Sequence, residues 1–95
     1  MAEKLAVTLN SANVINFIEL DGDHAIFELE TPKKWYKKRL VDVNPRVKYG
    51  MNILTVKKGN NVISSIDGNY VFEEGDHIVV FGNTEAILRF TNKQH

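Results

Sequence analysis

Apolar and polar positions follow two periods along this chain, and each change of period marks an element. Val14 to Leu20 and His24 to Thr31 are strand-like runs joined by Asp21-Gly22-Asp23, which predicts a hairpin. In the second run Ile26, Glu28 and Glu30 alternate with Phe27 and Leu29, which gives the first set to solvent and the second to the core. Thr31-Pro32 ends the strand, because proline has no N–H for a ladder.

Leu40 and Val43 then form an apolar turn, and Val47 extends the stripe past Pro45. The pattern predicts a short turn followed by a helix from Pro45 to Tyr49, with Asn44 as its polar cap, proline at the first position and Gly50 closing it. Met51, Ile53, Leu54 and Val56 are too short a run for another helix, so Met51 to Lys57 reads as a strand. Gly59-Asn60 turns it back onto Val62 to Ile66. Asp67-Gly68-Asn69 turns again, Tyr70 to Phe72 touches the core, and Glu73-Glu74-Gly75-Asp76 leads into the most apolar strand, His77 to Phe81. Thr84 caps a last helix, with Ile87, Leu88 and Phe90 inward and Asn92 to His95 fraying. At the other end Ala2, Leu5, Ala6 and Leu9 have helical spacing without a strong cap, so residues 1–12 read as the tail of a connecting helix and 13–95 as the domain. The sum is an α+β fold with a small mixed or antiparallel sheet and two to three short helices.

A chain of 95 residues makes one small core. Such a domain buries only about 60–65% of its unfolded surface, and dimerising would add to that. Twelve basic against 12 acidic residues leave no net field for nucleic acid or a membrane surface, so any anion site is local. The absence of cysteine removes disulfides, thiolate metal sites and thiol nucleophiles. No apolar run approaches the roughly 18 residues that span a bilayer.

Catalysis needs a nucleophile with a base, or two carboxylates of different pKa, converging from separate elements. Ser11, Ser64 and Ser65 have no such partner by pattern, and His24, His77 and His95 show no pair at metal-ligand spacing, so His24 and His77 read as turn-side residues. The six glycines are single and in turns, which is not a phosphate loop. Glu19, Asp21 and Asp23 lack the full calcium-loop series. Lys33 to Arg39 is basic and contains Trp35 and Tyr36, a composition used on single-stranded nucleic acid. With two aromatics and no net charge it reads instead as a solvated loop whose Trp35 covers a core edge. Two polar residues stand out. Arg46, in a first helical turn, is either solvated or placed for an anion, and Asn52, opening an apolar strand, either serves the turn or reads a ligand.

The ordered series from Leu40 to Lys57, with Asn13 to Leu20 before it and Val71 to Gly82 after it, resembles the RCK-C or TrkA-C domain family of potassium-channel and transporter subunits, nearest its Ktr-type members. The likeness covers roughly Val14 to Phe90, and Pro45 departs from the commoner aliphatic residue at its place. The resemblance implies a homodimer, part of a larger ring in a full-length subunit, that follows a Rossmann-type nucleotide-binding domain. That subunit would act on a Ktr-type membrane potassium-translocating partner from the cytoplasmic face, with no catalysis, no cofactor and no nucleic acid.

It further implies cyclic di-AMP as a regulatory ligand bound between two copies to inhibit potassium uptake. A twofold ligand suits a twofold interface, since each residue serves both halves. Arg46 would meet a phosphate with help from first-turn N–H groups, and Asn52 an adenine edge. Leu40, Val41 and Pro45 would wall the bases, with Asn44 at the rim and Ile63 completing a wall. Two other readings stand beside it: a structural dimerisation module without ligand, and a metal-responsive domain using Asp21, Asp23, Glu73 and Asp76.

Overall fold

The computed structural model describes residues 14–93, so the connecting-helix reading of 1–12, with Ser11 and His95, lies outside the described residues. Strands β1 (Val14–Glu19) and β2 (His24–Glu30) pair antiparallel, as the alternation predicts. Asp21 makes their turn, its Oδ1 accepting from the N–H groups of Asp23 and His24 at 2.8 Å each. An aspartate that bonds the backbone two and three residues on is an ordinary turn device.

A single 3₁₀ turn (Lys33–Trp35) leads through α1 (Leu40–Val43) and α2 (Pro45–Tyr49) into β3 (Met51–Lys58). Strand β4 (Asn61–Val62) is far shorter than the expected Val62 to Ile66. Its pairing stops at Lys57, although Ile63 still gives its N–H to Val56 O and accepts the Thr55 hydroxyl at 2.5 Å. Strand β5 (Asp76–Asn83) and helix α3 (Thr84–Lys93) complete the described chain. The sheet order is β1-β2-β5-β3-β4, antiparallel at every pair, so the most apolar run lies at its centre.

One face of this sheet carries the core. Ala25, Phe27 and Leu29 of β2, Met51 and Val56 of β3, and Ile78 and Val80 of β5 meet Val43, Phe72, Ile87 and Phe90. Trp35, only 2% exposed, packs between Phe72 and Phe90 with ring centroids at 5.2 and 5.6 Å. It lies inside the core where an edge cover was expected, because Pro32 and the 3₁₀ turn swing it under the sheet.

Four local expectations are corrected. Glu28 lies on the outer face as the alternation requires, yet it is only 8% exposed. Asn16 Nδ2 (2.8 Å), His77 Nδ1 (3.0 Å) and Lys57 Nζ (3.4 Å) surround it from three other strands. His77 is accordingly a residue of β5 in a half-buried pair, and not a turn residue. Gly82 is buried in β5, so not all glycines are in turns. Asn83 caps α3, its Oδ1 accepting from Ala86 N–H at 3.0 Å, one residue before the expected Thr84.

Candidate functional site

Asn44 divides the helical stretch and thereby shapes the site. In the left-handed conformation (φ 52°) it ends α1, its N–H donating to Leu40 O, and opens α2 by accepting from Lys48 N–H at 3.0 Å. Its side chain makes no cap bond, so the expected side-chain cap is replaced by a backbone kink, which asparagine tolerates better than most residues. The kink resets the helical phase. Pro45 is buried at the first position of α2, whereas Val47 is 76% exposed and leaves the stripe predicted for it. Gly50 (φ 70°) closes α2 as glycine can, its N–H donating to Arg46 O at 3.2 Å.

Helix α1 hangs from the segment after β4. Leu40 N–H donates to Tyr70 O (2.8 Å) and Val41 N–H to Gly68 O (2.9 Å). Lys37 N–H donates to Phe72 O (2.7 Å) and Phe72 N–H to Lys38 O (3.0 Å). The Arg39 guanidinium adds bonds to Asp42 (3.0 and 3.3 Å) and Asn69 (3.4 Å). Residues 37–41 and 68–72 thus form a short antiparallel zip at the margin of the domain.

Between this zip, α2 and the start of β3 lies an open cleft of about 290 Å³. Leu40, Val41, Asn44, Pro45, Arg46 and Asn52 all line it, while Ile63 does not. Met51, Ile53 and Gly68 complete the lining. The pattern gives the first two only as strand positions and Gly68 only as a turn residue, because nothing local ties the turn to α1. Arg46 and Asn52 are exposed, and neither side chain has a hydrogen-bond or ion-pair partner among the described residues. Val41 is 55% exposed beside them. A guanidinium and a carboxamide without partners among the described residues, set over apolar walls, offer donors and one acceptor to an anionic, planar guest.

A second polar cluster lies behind the zip. Asp76, 3% exposed, accepts from Tyr70 OH (2.6 Å), Lys58 Nζ (2.9 Å) and Glu73 N–H (3.0 Å). Burial pushes its carboxyl up, but the bonds from Tyr70, Lys58 and Glu73 outweigh that and hold it below the usual carboxylate range. Burial, followed by the bond to Asp76, pushes the Tyr70 phenol up to about 12. Three of the four acidic residues of the metal-responsive reading are therefore committed, since Asp76 and Glu73 bond Lys58 and Asp21 bonds its own turn, while Asp23 is exposed in that turn. No group of three metal-ligating side chains occurs among the described residues. No helix among them is long and apolar enough to cross a membrane.

Comparisons with known proteins converge on this architecture. A family model described as the TrkA-C domain matches residues 24–95. The chain is 40% identical over 57 residues to the Ktr system potassium uptake protein A of Bacillus subtilis (strain 168), a match covering 60% of this chain and 26% of that protein. Among solved structures it is similar to the RCK C domain of the potassium transport protein KtrA in complex with cyclic diadenosine monophosphate. There the TM-score is 0.67 at 25% identity, over 97% of this chain and 93% of that one. The GsuK RCK domain shares the fold, with a TM-score of 0.70 at 18% identity over 88% of this chain and 19% of that chain.

Proposed function

Since the chain belongs to the TrkA-C domain family, we propose that it is a regulatory, non-catalytic domain of a potassium uptake subunit and that its ligand is cyclic di-AMP. The observation that carries this reading is the cleft itself, where exposed Arg46 and Asn52 stand unpaired over the apolar walls of Leu40, Val41 and Pro45. Arg46 bonds a phosphate, Asn52 bonds an adenine edge, and Asn44 sits at the rim. Helix α2 has five residues and proline at its first position, so the phosphate relies on the guanidinium more than on helix N–H groups.

The volume supports a shared site. About 290 Å³ is at the floor of the roughly 300–1,000 Å³ that ligand pockets occupy, enough for part of a dinucleotide. A second copy related by a twofold axis supplies the other half. A ligand that prefers one dimer geometry biases the assembly, and a membrane potassium-translocating partner reads that bias as inhibition. In this reading the domain follows a Rossmann-type nucleotide-binding domain and works at the inner face of the cell membrane through its partner.

Calorimetric titration with cyclic di-AMP tests it. Saturable heat at one ligand per two chains, lost in Arg46→Ala and Asn52→Ala, is expected. A flat titration of the intact chain retires the reading and leaves a structural dimerisation module.

A further inference from the structure

The 67–72 segment reaches the cleft only through Gly68, yet it fixes the position of α1 by two backbone bonds, from Leu40 N–H to Tyr70 O and from Val41 N–H to Gly68 O. Its own position is fixed from behind. Tyr70 OH donates to Asp76 at 2.6 Å, the Tyr70 ring meets Phe72 edge-on at 5.4 Å, and Lys58 Nζ lies 5.7 Å over the Tyr70 ring while bonding Asp76. Asp76 is itself anchored. Its carbonyl accepts from the Thr31 N–H (3.1 Å) and hydroxyl (2.9 Å), and its strand is the centre of the sheet. A continuous chain of contacts therefore runs from the sheet through Asp76 and Tyr70 to the wall of the cleft.

Gly68 makes the last link sensitive. A Cβ there would lie 3.2 Å from Val41 Cβ, an atom that no rotamer change can move. Any side chain at this position requires the loop and Val41 to part by a few tenths of an ångström.

We infer that Tyr70 and Gly68 are positioning residues for the cleft: the Tyr70–Asp76 bond sets where the 67–72 segment, and α1 with it, stands on the sheet, and the bare Gly68 lets Val41 form the wall. This rests on the reading that the cleft takes cyclic di-AMP, but half of its test does not need the ligand. Tyr70→Phe removes one hydroxyl and keeps the ring; the loss of one hydrogen bond to a charged group corresponds to roughly tenfold or more. Because the bond lies one step behind the wall, the expected effect is about fivefold weaker cyclic di-AMP binding.

Amide hydrogen exchange in the free protein should rise at Leu40 and Val41 by a similar factor of about five, with Leu20, whose N–H donates to His24 O in the β1–β2 turn, unchanged. Gly68→Ala should weaken binding at least as much. Phe17→Leu, which loosens the core at the far edge beside Phe27, should alter neither binding nor the two amides. If Leu40 and Val41 exchange as before in Tyr70→Phe, or if Leu20 rises equally, Tyr70 is a merely structural residue and the inference is overturned. Undiminished binding in Gly68→Ala, or equal weakening in Phe17→Leu, also overturns it. A flat titration of the intact chain rejects the ligand, while the exchange comparison still decides the positioning.

Discussion

Gly82 in the central strand faces the Gly50 carbonyl that ends α2, and a Cβ on Gly82 would stand 2.9 Å from that oxygen and 3.3 Å from Ile87 Cδ1. The close approach brings the helix end, the first residue of β3 and α3 onto one spot of the sheet, since Gly82 also pairs with Met51. The oxygen belongs to backbone and cannot swing away. Gly82→Ala should therefore destabilise the fold by about 1–3 kcal/mol, the usual cost of overpacking, seen as a lower urea midpoint. An unchanged midpoint would mean that α2 shifts freely over the sheet.

The Asp76 cluster predicts how stability varies with pH. The Asp76 carboxyl is held below its ordinary 3.8 in the folded state, so its contribution is present above that value and is lost as pH falls through the lowered one. Tyr70 works in the opposite direction. Its phenol is raised from 10.0 to about 12, so its contribution is full below 10.0 and is lost as pH rises toward 12. Lys58, raised chiefly by its bond to Asp76, loses its share above 10.5. Urea midpoints measured across pH should show a plateau with an acid and an alkaline limb. Tyr70→Phe should make the alkaline limb shallower without removing it, and an identical limb would assign that titration elsewhere.

Trp35 is the single tryptophan and joins the basic segment to the core, stacked near Tyr49 at 6.3 Å as well as on Phe72 and Phe90. Trp35→Ala should cost about 3–5 kcal/mol, as large aromatic truncations in cores do. Near-ultraviolet circular dichroism and a denaturant melt would show it. A loss under about 1 kcal/mol would place the residue at the edge, as its position in a lysine-rich loop first suggested.

What the sequence disclosed and what it withheld divide by range. Local pattern singles out only Arg46 and Asn52, and the family resemblance adds Leu40, Val41, Asn44 and Pro45; all six fall within thirteen consecutive residues and line one cleft. The hairpin and central strand were legible for the same reason, since period and turn composition are local. Val47 was misassigned because a left-handed Asn44 shifts the helical phase, and residue type only weakly signals that conformation. Glu28 was misread because its partners come from β1, β3 and β5. Gly68 reaches Val41 across a loop, which no periodicity encodes.

Arg46 and Ile63 offer the sharpest contrast for the site, one lining the cleft without a partner among the described residues and the other engaged with the β3–β4 hairpin away from the lining. A charge-assisted bond contributes about 1.5–3 kcal/mol and each ligand meets Arg46 from both copies, so Arg46→Ala should weaken cyclic di-AMP binding by about 100-fold or more. Arg46→Lys keeps the charge but loses the planar fork that holds two phosphate oxygens, and should recover only part of the affinity. Ile63→Ala should leave affinity within about twofold while lowering stability, because truncating a half-buried aliphatic costs packing and not ligand contact. Binding isotherms for the three variants decide it. Strong weakening in Ile63→Ala with a tight Arg46→Ala would move the ligand off this cleft and onto the hairpin.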